Sequence, residues 1–116
     1  MRVLARLAFS VGVLADIYLA LARPSGLPEV DVWDKYLHGA VYCLLGVAAL
    51  VGFGRRLSSV SICALVFLLG VLLEFVQAVL PYRSFSVGDM VANGVGVGIG
   101  ALVVCLFERY LSGEKR

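Results

Sequence analysis

VSICALVFLLGVLLEFVQAVL, residues 60–80, holds a single charged side chain, Glu74, in 21 positions. At about 1.5 Å of rise per residue this run makes a helix of about 31 Å, the thickness of a bilayer's hydrocarbon core. Working outward, three further runs share the character: residues 3–22, residues 36–53, which are somewhat short, and residues 87–111, which are long enough to tilt or project. Short connections make consecutive helices antiparallel neighbours. The expected fold class is all-α: an integral membrane four-helix bundle, one domain over residues 1–116.

Composition agrees. Hydrophobic residues make up 61% of the chain and charged residues 16%, too few to cover the surface of a soluble domain this small. A net charge of +2 lacks the basic footprint of a nucleic-acid binder. Cys43, Cys63 and Cys105 sit in separate apolar runs and are odd in number. They support neither a disulfide framework nor a zinc knuckle, and read as packing residues.

The first run begins with Arg2 and Arg6 and ends in Ala20-Leu21-Ala22, which resembles a signal-peptide cleavage site. Asp16 interrupts the apolar stretch, and an uncleaved first helix is the expectation. Lys and Arg in the connections set the orientation. With the N-terminus inside, the inner side holds Arg2, Arg6, Arg55, Arg56, Arg109, Lys115 and Arg116, and the outer side holds Arg23, Lys35 and Arg83. The bias favours both termini in the cytoplasm, with residues 23–35 and 81–86 facing outward.

A charged side chain inside a span costs about 2.5–3.5 kcal/mol on insertion scales, so its position is informative. Glu74 lies seven residues before Pro81 and Asn93 seven after Ser86, which puts both about 10 Å below the outer helix ends. Asp16 lies about 12 Å down and His38 about 6 Å down, while the inner halves of the helices are almost purely apolar. Asp34 and His38 share a helix face at i, i+4, as do Asp89 and Asn93, and Glu74 and Gln77 are at i, i+3. Lys35 and Arg83 fall in the outer connections. The simplest arrangement is an outward-open polar pocket. In it His38, Glu74 and Asp89 are the candidate catalytic groups, acting as acid, base or nucleophile. Asp34, Lys35, Gln77, Arg83 and Asn93 are the candidate substrate-binding groups, with Lys35 and Arg83 suited to a phosphate or carboxylate. No cofactor is called for, although Glu74, Asp89 and His38 could hold a divalent metal ion. The plainer alternative makes Gln77 and Asn93 interhelical hydrogen-bond glue, His38 a packing histidine, and Asp16 a structural or snorkelling residue.

Residues 34–39 and 89–94 both read D-x-x-x-[HN]-G, a weak internal echo. Gly94/Gly98 and Gly96/Gly100 form two small-x-x-x-small faces, which could pack within one chain or build a dimer.

The ordered set Asp34-Lys35-x-x-His38, Tyr42, Leu45-Gly46, Glu74-x-x-Gln77, Leu80-Pro81-x-Arg83-x-Phe85-Ser86 and Asp89-x-x-x-Asn93-x-x-Gly96 resembles the VanZ-like family, named for a protein associated with teicoplanin resistance. The match covers residues 34–100. Two positions depart from the family's pattern: Tyr82 stands where Gly is usual, and Gly39 where a larger, often aromatic residue is common. The resemblance implies a multi-pass protein of the bacterial cytoplasmic membrane with its site toward the extracytoplasmic side. It also implies a link to glycopeptide tolerance, and no established reaction. Membrane lipids are the expected surroundings, and an anionic envelope lipid or a peptidoglycan precursor is a sensible ligand. Two other readings stand beside this one. The first is a non-catalytic scaffold or partner-binding protein. The second is a small proton-coupled exporter working around Asp16, for which the apolar inner half offers no continuous path.

Overall fold

The computed structural model describes residues 1–22 and 31–114, and of residues 31–34 the backbone alone. Its elements are four helices: α1 (Arg2–Leu21), α2 (Asp31–Phe53), α3 (Ser59–Val79) and α4 (Val87–Glu114). All four are long and apolar enough to cross a membrane. Together they form an elongated bundle of 56 × 24 × 22 Å, and the chain is a four-helix membrane bundle.

Two helix limits differ from the sequence expectation in ways that matter. α2 has 23 residues and starts at Asp31 rather than at residue 36. An apolar window misses a polar opening turn, although acidic residues suit the positive end of a helix. Lys35 therefore belongs to α2 and not to a connection. α4 runs 28 residues, to Glu114 rather than residue 111. From Cys105 onward its residues are exposed, so the last turns project beyond the bundle.

α2 is the central helix and touches each of the others. Its largest interface is with α4, and glycine makes it possible. A Cβ on Gly96 would overlap the carbonyl oxygen of Gly39, and one on Gly100 would stand 2.7 Å from that of Cys43. The Gly96/Gly100 face thus packs inside the chain, whereas Gly98 has open space beside it. Tyr42, Leu45, Ala49, Leu50, Ile62, Val66 and Val97 form the buried core. α1 lies against α2 and meets α3 only briefly. Its outer face, including Leu4, Leu7, Val11 and Leu14, is exposed, a surface tolerable only against hydrocarbon.

At the end that holds Arg2 and the α2–α3 turn, Arg6 donates from Nε to the Gly52 carbonyl at 2.7 Å and stacks 5.3 Å above the Phe53 ring. Ser58 caps α3 by accepting from Ser61 N at 3.2 Å.

Candidate functional site

The opposite end of the bundle gathers the polar residues. The apolar run of α3 stops at Pro81, and the chain turns back through Arg83 N donating to Leu80 O at 3.2 Å. Ser86 then opens α4: its Oγ accepts from Asp89 N at 3.2 Å, an N-cap with an acidic residue three positions on. The Ser86 amide donates to Glu74 Oε2 at 2.9 Å. Glu74 is therefore tied to the start of α4 while only 1% exposed, and a buried carboxylate needs such donors.

A cavity of about 220 Å³ lies between the helices here, and all four contribute to its wall. Of the residues singled out from the sequence, His38, Glu74, Gln77, Arg83 and Asn93 line it. Asp89 stands behind His38, with its Oδ2 3.6 Å from His38 Nε2 and its Oδ1 3.9 Å from Lys35 Nζ. These separations are ion-pair distances and exceed hydrogen-bond length. Asp89 thus bridges two residues of α2 from α4. The first residue of one D-x-x-x-[HN]-G stretch meets the fifth of the other. The Asp34 side chain lies outside the described residues. No three His, Cys, Asp or Glu side chains among the described residues converge as a metal-holding group.

Three lining residues stood outside the pocket assignments made from the sequence, where Asp16 entered as a structural residue or as the carboxylate of the exporter reading. Asp16 borders the cavity from α1, and the Tyr42 hydroxyl donates to its Oδ2 at 2.7 Å. Tyr42 is 1% exposed. The available signal was spacing, since Tyr42 follows His38 by one helical turn and shares its face. Gly70 is the third omission. A Cβ there would stand 2.8 Å from Asn93 Nδ2 and 3.0 Å from the Tyr42 ring, so the missing side chain makes room for both. Asn93 is 2% exposed, and its Oδ1 has no hydrogen-bond partner among the described residues.

Gln77 and Arg83 have a second occupation. A helix leaves its last four carbonyls without intrahelical donors. Those of α1 are met from elsewhere. Arg83 Nη2 reaches Leu19 O at 2.6 Å and Ala22 O at 2.8 Å, and Nε reaches Ala22 O at 3.1 Å. Gln77 Nε2 donates to Ala20 O at 3.1 Å, and Tyr82 Oη to Leu21 O at 2.7 Å. The guanidinium also suits the negative end of the helix. Tyr82, a departure from the VanZ-like pattern, is thus one of the capping groups.

An apolar groove of about 720 Å³ runs between α1 and α2 from Asp16, Leu19 and Val41 down to Met1. It shares those three residues with the polar cavity.

A multi-pass membrane bundle with a polar cavity walled by all of its spans defines the class. The VanZ/LLP1 family's sequence model matches residues 6–108, and the chain belongs to that family. A protein of Schizosaccharomyces pombe, described as uncharacterized, is 33% identical over 104 residues, which are 87% of this chain and 62% of that protein. The chain thus spans less than two thirds of this relative's length. No solved structure matches the chain.

Proposed function

We propose that the cavity is a head-group site for a membrane amphiphile of the cell envelope, an anionic lipid or a lipid-linked peptidoglycan precursor. One observation carries the reading: a polar cavity bordered by His38, Glu74, Gln77, Arg83 and Asn93 continues into an apolar groove through Asp16, Leu19 and Val41. A polar head with a hydrocarbon tail fits that sequence of surfaces. About 220 Å³ is below the roughly 300–1,000 Å³ of pockets that enclose drug-sized ligands, which suits a head group and not a whole lipid.

Arg83 on the cavity wall is the first cation for a phosphate, with Lys35, outside the lining and beside Asp89, as a second. The placement of Asp89 behind His38 supports an acid–base role, with Asp89 orienting the imidazole and Glu74 as a second proton-accepting group. In this reading the N- and C-termini face the cytoplasm and the cavity lies toward the extracytoplasmic face of a bacterial membrane, where it bears on glycopeptide tolerance.

The test is a comparison of wild type and Glu74→Gln. Lipid retained through purification is identified by mass spectrometry, and teicoplanin susceptibility is measured in cells that express each form equally. The reading expects the variant to lose a specific lipid and to shift susceptibility. Identical lipid content and identical susceptibility would reject it.

A scaffold role is favoured by a different observation: Gln77 and Arg83 spend their donors on the end of α1. Under that reading, polar-to-alanine changes act only through stability.

A further inference from the structure

We infer that the end of the bundle opposite the polar cavity holds a second lipid site, which takes an anionic phospholipid with its phosphate between Arg2 and Arg55. The two sites share no lining residue, so the second stands whether or not the cavity takes a head group.

A hollow of about 660 Å³ opens beside the α2–α3 turn. One wall runs along α2 from Val47 through Val51 and on to Arg55, and another along α4 from Val103 through Phe107 to Leu111. α2 and α4 run in the same direction, since the close contacts of Gly96 and Gly100 advance from Gly39 to Cys43. Both walls are therefore apolar toward the middle of the bundle and carry Arg55 and Glu108 near its end. From Val47 to the end of α2 at Phe53 is about 9 Å of rise, so the hollow lies within one leaflet, whose half of the hydrocarbon core is about 15 Å thick. Because α4 projects past its neighbours, the bundle leaves Val103, Phe107 and Leu111 between 41% and 53% exposed. Such a surface suits an acyl chain.

Charge decides the occupant. Arg2 from the start of α1 and Arg55 from the α2–α3 turn stand on one rim, and Ser59 at the start of α3 adds a hydroxyl. Arg6 is engaged by the Gly52 carbonyl and the Phe53 ring. Among the described residues, neither Arg2 nor Arg55 has an ion pair or a side-chain hydrogen bond. Glu108 is the one carboxylate of the described lining and pairs with neither. Two guanidiniums against one carboxylate keep the rim positive. The guanidinium fork matches phosphate oxygens, and a basic pocket between spans at the membrane–water boundary draws anionic lipid. A choline lipid would bring a trimethylammonium that the same arginines repel. A second copy of the chain, paired symmetrically through this face, would oppose one pair of arginines with another.

The experiment uses the purified full chain in nanodiscs that hold equal amounts of phosphatidylglycerol and phosphatidylcholine with identical acyl chains. Bound lipid is read by native mass spectrometry. The expected result is retention of phosphatidylglycerol over phosphatidylcholine by about tenfold or more, and a return to within about twofold of parity when Arg2→Gln and Arg55→Gln are combined. Arg55→Gln alone should lower the ratio severalfold. Arg56→Gln, in the same turn but outside the lining, should lower it by less than about twofold. Val103→Trp fills the hollow from an exposed position and should reduce retained phosphatidylglycerol severalfold. All four substituted side chains are exposed, so folding is not at stake. Equal losses in Arg55→Gln and Arg56→Gln would reduce the effect to general surface attraction and overturn the site. A preference untouched by the double variant would put the lipid elsewhere and overturn it too. So would phosphatidylcholine held as strongly as phosphatidylglycerol, or a second copy of the chain bound in place of lipid.

Discussion

Tyr42 and Asp16, 26 residues apart on α2 and α1, are joined by a 2.7 Å hydrogen bond from the phenol to the carboxylate. The bond ties α1 to the helix that touches every other span, and holds a carboxylate at the edge of the polar cavity. Tyr42→Phe keeps the ring and deletes the donor. Stability in detergent should fall by about 0.5–1.5 kcal/mol, the net worth of a hydrogen bond to a half-buried acceptor. Adding Asp16→Leu should recover part of the loss, because removing both partners is milder than removing one. Denaturant-induced unfolding of both variants is the check, and an additive double variant would contradict the pairing.

The α2–α4 contact gives a sharper steric expectation. Gly96→Ala drives a methyl into the Gly39 carbonyl and should cost about 1–3 kcal/mol through overpacking. Gly98→Ala, two residues away with nothing within 4 Å of its Cβ position, should leave the melting temperature unchanged or slightly raised. Equal effects at the two positions would contradict the close approach.

Gly70→Ala should separate binding from folding. Its methyl would meet the amide end of Asn93 and the Tyr42 ring, both side chains of the cavity wall. Lipid retention should fall severalfold, with a stability change within about 1–3 kcal/mol, measured on the same preparations.

Arg83→Lys keeps a cation and loses the forked geometry that serves Leu19 and Ala22 together. The end of α1 should fray. Faster hydrogen exchange confined to residues 19–22 is the expected readout, while the α2–α4 interface keeps its protection.

Orientation is open to labelling. Ser84 and Ser112 are exposed at opposite ends of the bundle. In intact cells carrying single-cysteine forms, a membrane-impermeant maleimide should mark Ser84→Cys and spare Ser112→Cys. The reverse pattern would invert the topology.

Much of this fold was legible because a span announces itself by length and apolarity alone, as residues 60–80 do. The limits were harder where polarity and helicity part company: Asp31 to Lys35 belong to α2 although no apolar window reaches them. For the site, helical spacing and depth were enough to bring His38, Glu74, Gln77 and Asn93 to one cavity, since each face is fixed by its own helix. Partnership between helices was not legible. Nothing in the first 22 residues says that Asp16 will meet Tyr42. Nor does anything near Arg83 and Gln77 say that their donors will be spent on α1, because those contacts depend on how the spans pack. Gly70 was silent for a similar reason, since its importance lies in what stands across from it.

The end of α1 has a consequence for biogenesis. Among the described residues, its final carbonyls, from Leu19 to Ala22, find side-chain donors on residues 77–83, between 57 and 64 positions further along the chain. As the polypeptide leaves the ribosome, α1 therefore enters the lipid before these donors exist, with a polar tip that must stay near the water line. It is fastened only once the third span has been threaded and its exit turn has emerged.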